Sequence, residues 1–165
     1  MFKWRPLRLI RVLICWFRHK YIDLSYNALK IELRSDWQPP SRLTTAHFAA
    51  CQMGPMFPGW LQWHVSITDL DISSAGIADR LPQWFSDAFR NVELLNISNN
   101  QLSGGLPTNM SYMSLSELHL SSNQLTGQLL KRTWHHLCHF EWFWWSNDNT
   151  TLGLICLLRW PFSGV

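Results

Sequence analysis

Val92-Glu-Leu-Leu95-Asn-Ile97-Ser-Asn-Asn100-Gln-Leu102-Ser-Gly-Gly-Leu-Pro107 decides the fold, because the chain spells it twice. Laid under it at a shift of 23, Leu115-Ser-Glu-Leu118-His-Leu120-Ser-Ser-Asn123-Gln-Leu125-Thr-Gly127 matches at the apolar positions Val92, Leu95, Ile97 and Leu102 and at the Asn. Residues two apart, such as Leu95 and Ile97, point to one side of a short strand, so that side faces a core. The Asn sits where the chain bends away, and its amide can pair backbone groups of a neighbouring coil that burial would otherwise leave unpaired. Gly104 permits a tight turn.

The spelling L-x-x-L-x-L-x-x-N-x-L is that of a leucine-rich repeat. One such coil cannot bury its apolar face alone, so the pattern predicts a stack. The expected fold is a leucine-rich repeat solenoid, an α/β-type horseshoe segment with short parallel strands on the concave face and irregular or 3-10 arms on the convex side.

Earlier copies are degenerate but keep the period. Ile22-Asp-Leu24-Ser-Tyr-Asn27 carries the first bend residue, and steps of 24, 24, 25 and 23 lead to Cys51, Ala75, Asn100 and Asn123. These five positions form the expected structural ladder, with Cys51 and Ala75 standing in the Asn slot. Pro58, Pro82 and Pro107 each follow a ladder position by seven residues, and Trp60 and Trp84 follow the first two prolines by two. Proline pre-sets the chain for the outer arm. The indoles are expected to pack between coils on the convex side.

Five repeats are therefore legible over residues 21–130. Residues 1–20 hold six Lys/Arg and no acid, so the formal net charge of +3 belongs to this leader and the remainder is slightly acidic. Arg8 and Arg11 interrupt its apolar run and no small-residue cleavage site follows, so the leader is not expected to be a signal peptide. Residues 131–165 break the period, and Trp134, Trp142, Trp144 and Trp145 crowd there. This tail is expected to be disordered or loosely packed over the open end of the stack. Leu152–Leu158 is far shorter than the roughly 20 residues of a membrane span. Four scattered cysteines suit neither a disulfide framework nor a zinc ribbon.

The phrases at 100–107 and 123–129 resemble the plant-specific class of extracellular leucine-rich repeats. Residues 51–61 and 70–85 resemble plant receptor-like proteins of the disease-resistance kind. The resemblance implies a curved ectodomain at the plasma membrane, on its extracellular side, carrying N-glycans. It further implies recognition of a peptide, protein or glycan, with signalling passed to a co-receptor kinase. Cysteine caps, a transmembrane helix and a cytoplasmic tail are not legible, so a truncated or fragmentary chain is expected. Alternatives are a soluble inhibitor of microbial cell-wall enzymes and a non-functional truncated product.

Candidate ligand contacts are the residues between inward leucines, which point to the concave face. They form a column of Asp23, His47, Asp71, Asn96 and His119, beside a second of Ser25, Ala49, Ser73, Ser98 and Ser121. Sequons occur at Asn96, Asn109 and Asn149, with Asn109 the expected acceptor and a glycan on Asn96 expected to compete with ligand. His135, His136, Cys138 and His139 raise the alternative of a small metal-binding protein, but their spacing fits no standard zinc site. No cofactor, metal, nucleic-acid partner or catalytic residue is expected, since no hydrolase, nucleotide-binding, metalloprotease or kinase motif is present.

Overall fold

The computed structural model describes residues 20–38, 42–126, 140–145 and 153–158. Each repeat contributes one strand of three residues: β1 (Tyr21–Asp23), β2 (Thr45–His47), β3 (Asp69–Asp71), β4 (Leu94–Asn96) and β6 (Glu117–His119). They are parallel and in register, so Ile22, Ala46, Leu70, Leu95 and Leu118 lie side by side. Every one of these central residues is buried, while the residues flanking it face outward. Phe48, Ile72, Ile97 and Leu120, two positions on, enter the same core.

Behind the sheet the chain returns through 3-10 helix η1 (Gly59–Trp63), one four-residue helix α1 (Phe85–Ala88) and 3-10 helix η2 (Thr108–Tyr112). Helix α1 lies against both η1 and η2. Aromatic rings stitch these arms together edge to face, as expected for the proline-Trp phrases. Trp60 meets Trp37 of the preceding coil at 6.0 Å and Phe48 at 5.9 Å. Trp84 meets Phe57, also of the preceding coil, at 5.7 Å. Such geometry adds roughly 0.5–1.5 kcal/mol per pair to area burial.

A second parallel sheet, absent from the sequence reading, joins β5 (Ser103–Gly105) to β7 (Gln124–Thr126). Isolated bridges Lys30↔Gln52 and Arg80↔Ser103 pair coils in the same parallel sense. The backbone just past each ladder residue thus bonds to the adjacent coil a second time, as in Gln101 N–H to Ile77 O at 2.7 Å and Gln124 N–H to Leu102 O at 2.8 Å.

Two segments of the tail are also described. Phe140–Trp145 (β8) and Gly153–Leu158 (β9) are strands, and β9 pairs antiparallel with β6 and β8. The edge of β6 presents unpaired backbone groups that invite another strand. Neither segment alternates apolar with polar, which is why period-2 reading missed them; continuous aromatic or aliphatic runs also form strands. Residues 1–19 of the leader and residues 127–139 lie outside the described residues. Among the described residues no helix is long and apolar enough to cross a membrane.

Candidate functional site

The bend that closes each coil sets where the concave side chains stand. Tyr26, Ala50, Ser74, Asn99 and Ser122 all have φ between 54° and 61°, and each immediately precedes a ladder position. None is glycine, so every coil carries a left-handed residue at a cost of about 1 kcal/mol or more. The ladder side chains lie beside those bends. Asn100 donates from Nδ2 to Ile72 O (3.0 Å) in the preceding coil and to Ile97 O and Ser98 O (both 3.1 Å) in its own. Its Oδ1 accepts from Ala75 N–H (3.0 Å) and Ile77 N–H (3.1 Å). Asn123 repeats the arrangement toward Ile97 O (2.9 Å) and Leu102 N–H (3.0 Å).

The other three ladder positions behave differently. Cys51 Sγ reaches Leu24 O at 3.2 Å, keeping one bond across the coils. Asn27 bonds only to carbonyls of its own turn, Leu24 O and Ser25 O. Ala75 has no polar atom to offer, and its backbone carbonyl instead accepts from Met53 N–H (3.0 Å) and Gly54 N–H (3.1 Å). The two coils approach closely here: a Cβ on Gly54 would overlap the Gly76 carbonyl.

On the concave face the strand register places Asp23, His47, Asp71, Asn96 and His119 in one column. Three of the five are also tied to the fold. Asp23 Oδ1 accepts from Ser25 N–H (2.9 Å), Asp71 Oδ1 from Ser73 N–H (2.9 Å), and Asn96 Oδ1 from both Ser98 N–H (3.2 Å) and Oγ–H (2.7 Å). Each is an Asx turn ending its strand. The Ser25 amide holds the Asp23 carboxyl below its ordinary value, with the Ser25 hydroxyl, His47 and Tyr21 assisting against partial desolvation. Asn96 Nδ2 donates to Asp71 Oδ2 at 3.1 Å, linking adjacent coils.

A further column was missed: Tyr21, Thr45, Asp69, Leu94 and Glu117, the first residue of each strand. Residues two apart on a strand share a face, so the same alternation that exposes Asp71 exposes Asp69. This column supplies the histidines' partners. His47 Nε2 is 3.0 Å from Asp69 Oδ1 and its Nδ1 4.0 Å from Asp23 Oδ2, while His119 Nε2 is 3.6 Å from Glu117 Oε2. The His47–Asp69 approach is an ion pair only once the ring is protonated; Asp69 Oδ1 has no hydrogen-bond partner among the described residues. The Tyr21 ring stands edge-on to His47 at 6.0 Å.

The sequons divide. Asn96 lies within the strip, as above. Asn109 lies in η2 on the convex side, half-buried, its Oδ1 accepting from Ser86 Oγ at 2.8 Å. Asn149, and the cluster His135, His136, Cys138 and His139, lie outside the described residues.

Parallel coils stacked in register, closed by a side-chain ladder and backed by 3-10 arms, define a leucine-rich repeat solenoid, and residues 91–113 and 114–135 each match the Leucine Rich Repeat family model. The repeats are those of a plant leucine-rich repeat receptor-like protein. The chain is 38% identical to receptor-like protein EIX2 of Solanum lycopersicum over 156 residues, which is 87% of this chain and 15% of that protein. It is 46% identical to receptor-like protein EIX1 of the same species over 83 residues, 50% of this chain and 8% of that protein. Receptor-like protein 14 of Arabidopsis thaliana is 28% identical over 110 residues, 66% of this chain and 11% of that protein. The chain therefore spans a small part of its relatives' length. The similarity to EIX2 is also longer than residues 21–130, so part of the leader or tail lies within it.

Proposed function

We propose that the concave strip is the recognition surface of a plant cell-surface immune receptor ectodomain, binding an extracellular peptide, protein or glycan without catalysis and passing the signal to a co-receptor kinase. The observation that carries this is the five-strand register, which lays two columns of mostly polar side chains along an open sheet face. Such a face offers hydrogen bonds to an extended ligand but no closed cleft in which acid and base could be tuned. Asn109, on the convex arm, is the acceptor whose glycan leaves the strip clear, whereas a glycan on Asn96 would cover it.

The test is binding of the secreted chain to an array of cell-wall oligosaccharides and to fractionated extracellular fluid proteins. His47→Arg or His119→Arg on the strip should abolish a specific signal, while Val65→Arg, exposed on the outer arm, should not. A signal that survives both strip substitutions refutes the assignment. Intact-mass measurement of the same preparation is expected to find Asn109 occupied, with Asn109→Gln leaving binding unchanged.

A further inference from the structure

Charge among the described residues is segregated. Lys30 pairs with Glu32, Arg34 with Asp36 and Arg90 with Asp87, all away from the concave columns. The two strand columns contain Asp23, Asp69, Asp71 and Glu117 and no Lys or Arg. The carboxylates stand on β1, β3 and β6, the first, third and fifth strands of the parallel stack. Strands β2 and β4 between them carry Thr45, His47, Leu94 and Asn96. With neighbouring strands about 4.8 Å apart, negative charge recurs about every 10 Å along the strip.

That interval matches one ligand conformation. A polyproline II chain has three residues per turn and advances about 9.3 Å per turn, so side chains at every third residue share a face at that spacing. A β-extended chain alternates faces, and its same-face spacing of about 7 Å drifts out of step. At the β1 end Tyr21 leaves 59% of its surface exposed beside Asp23. Its ring face can hold an ammonium or guanidinium group by cation–π attraction while the carboxylate neutralises it.

We propose that this sheet face docks a polyproline II segment bearing Lys or Arg at every third residue, the basic side chains seating on Asp23, on Asp69 and Asp71, and on Glu117. The proposal rests on the concave strip being the recognition surface and names its ligand class.

The experiment is fluorescence anisotropy with the 165-residue chain, at roughly 0.15 M salt. The probe is a labelled Lys-Pro-Pro repeat peptide long enough to cross five strands. Controls are a peptide of the same composition with its lysines contiguous, and a Glu-Pro-Pro repeat. The spaced peptide is expected to bind about tenfold tighter than the contiguous one, and the Glu peptide not to bind. Asp69→Asn with Glu117→Gln should weaken the spaced peptide about tenfold, and Glu32→Gln with Asp36→Asn, off the strip, should leave it unchanged. Equal affinity for both lysine peptides, or loss with the Glu32/Asp36 pair, would mean diffuse charge and overturn the proposal. No binding of the spaced peptide overturns it too. If a neutral peptide or glycan then bound in a manner abolished by His47→Arg, the recognition surface would stand and only the ligand class would fall.

Discussion

Replacing Asn100 by Ala tests the bond accounting that holds the coils together. The side chain is buried and serves five backbone groups. Its loss leaves Ala75 N–H and Ile77 N–H with no other acceptor among the described residues and strips Ile72 O of its cross-coil donor. A buried polar group deprived of its partner costs about 1–3 kcal/mol, so two orphaned donors and a weakened carbonyl amount to about 3–5 kcal/mol. Against a total stability of about 5–15 kcal/mol, that loss is disabling.

The ladder supplies its own controls. Asn123 has one cross-coil donor and one cross-coil acceptor to lose and is half-exposed, so Asn123→Ala should cost about 1–3 kcal/mol. Asn27 touches only its own turn and is exposed, so Asn27→Ala should cost under about 1 kcal/mol. Urea unfolding followed by circular dichroism would give the order, and amide exchange would localise it, with Ala75 and Ile77 accelerated more than Ala46 in Asn100→Ala. Equal costs for Asn27 and Asn100, or an Asn100→Ala penalty below about 1 kcal/mol, would refute the reasoning.

Four further outcomes are expected. Gly54→Ala should destabilise by about 1–3 kcal/mol in thermal melts, because the Gly76 carbonyl is backbone and cannot swing aside. Gly76→Ala should cost only about 1 kcal/mol, since a Cβ there meets open space and pays for its φ of 71° alone. Ser74→Gly, at an exposed left-handed position, should stabilise by about 0.5–1 kcal/mol, and a loss of stability would contradict the strain argument. His64 is 2% exposed, edge-on to Trp60, with neither ring nitrogen hydrogen-bonded among the described residues, and burial pushes it down from 6.5 to about 4. The unfolded chain binds that proton first, so stability is full above pH 6.5 and falls as pH drops toward about 4, by about 3 kcal/mol; His64→Leu should flatten this slope.

The spacing of leucines and asparagines made the strand register legible, down to which residues share a column. It could do so because burial on one side of a period-2 strand leaves few alternatives. What it concealed follows from bonds made by the backbone. Tyr26 and Ala50 occupy left-handed bends that composition would assign to glycine, and they persist because bonds to the neighbouring coils over-determine them. Ala75 kept its place in the ladder count but not its role, which passed to its carbonyl. The column of Tyr21, Asp69 and Glu117 was available from alternation alone. Its residues precede the first inward leucine of each repeat and so fall outside the L-x-L phrase that marks the strand.

The proposed recognition role of the strip overlaps its structural one, and this decides how the proposal should be probed. Asp23, Asp71 and Asn96 end their strands with Asx turns, and Asn96 also bonds to Asp71 across coils, so changing any of them perturbs coil closure together with ligand contact. The carboxylates of Asp69 and Glu117, unlike their backbone N–H groups, make no hydrogen bond in the coil framework among the described residues; each stands beside a histidine of the neighbouring column. Loss of binding on changing an Asx residue therefore cannot be separated from loss of shape. Binding lost through Asp69→Asn and Glu117→Gln, with amide protection at Ala75 and Ile77 intact, reports on recognition alone.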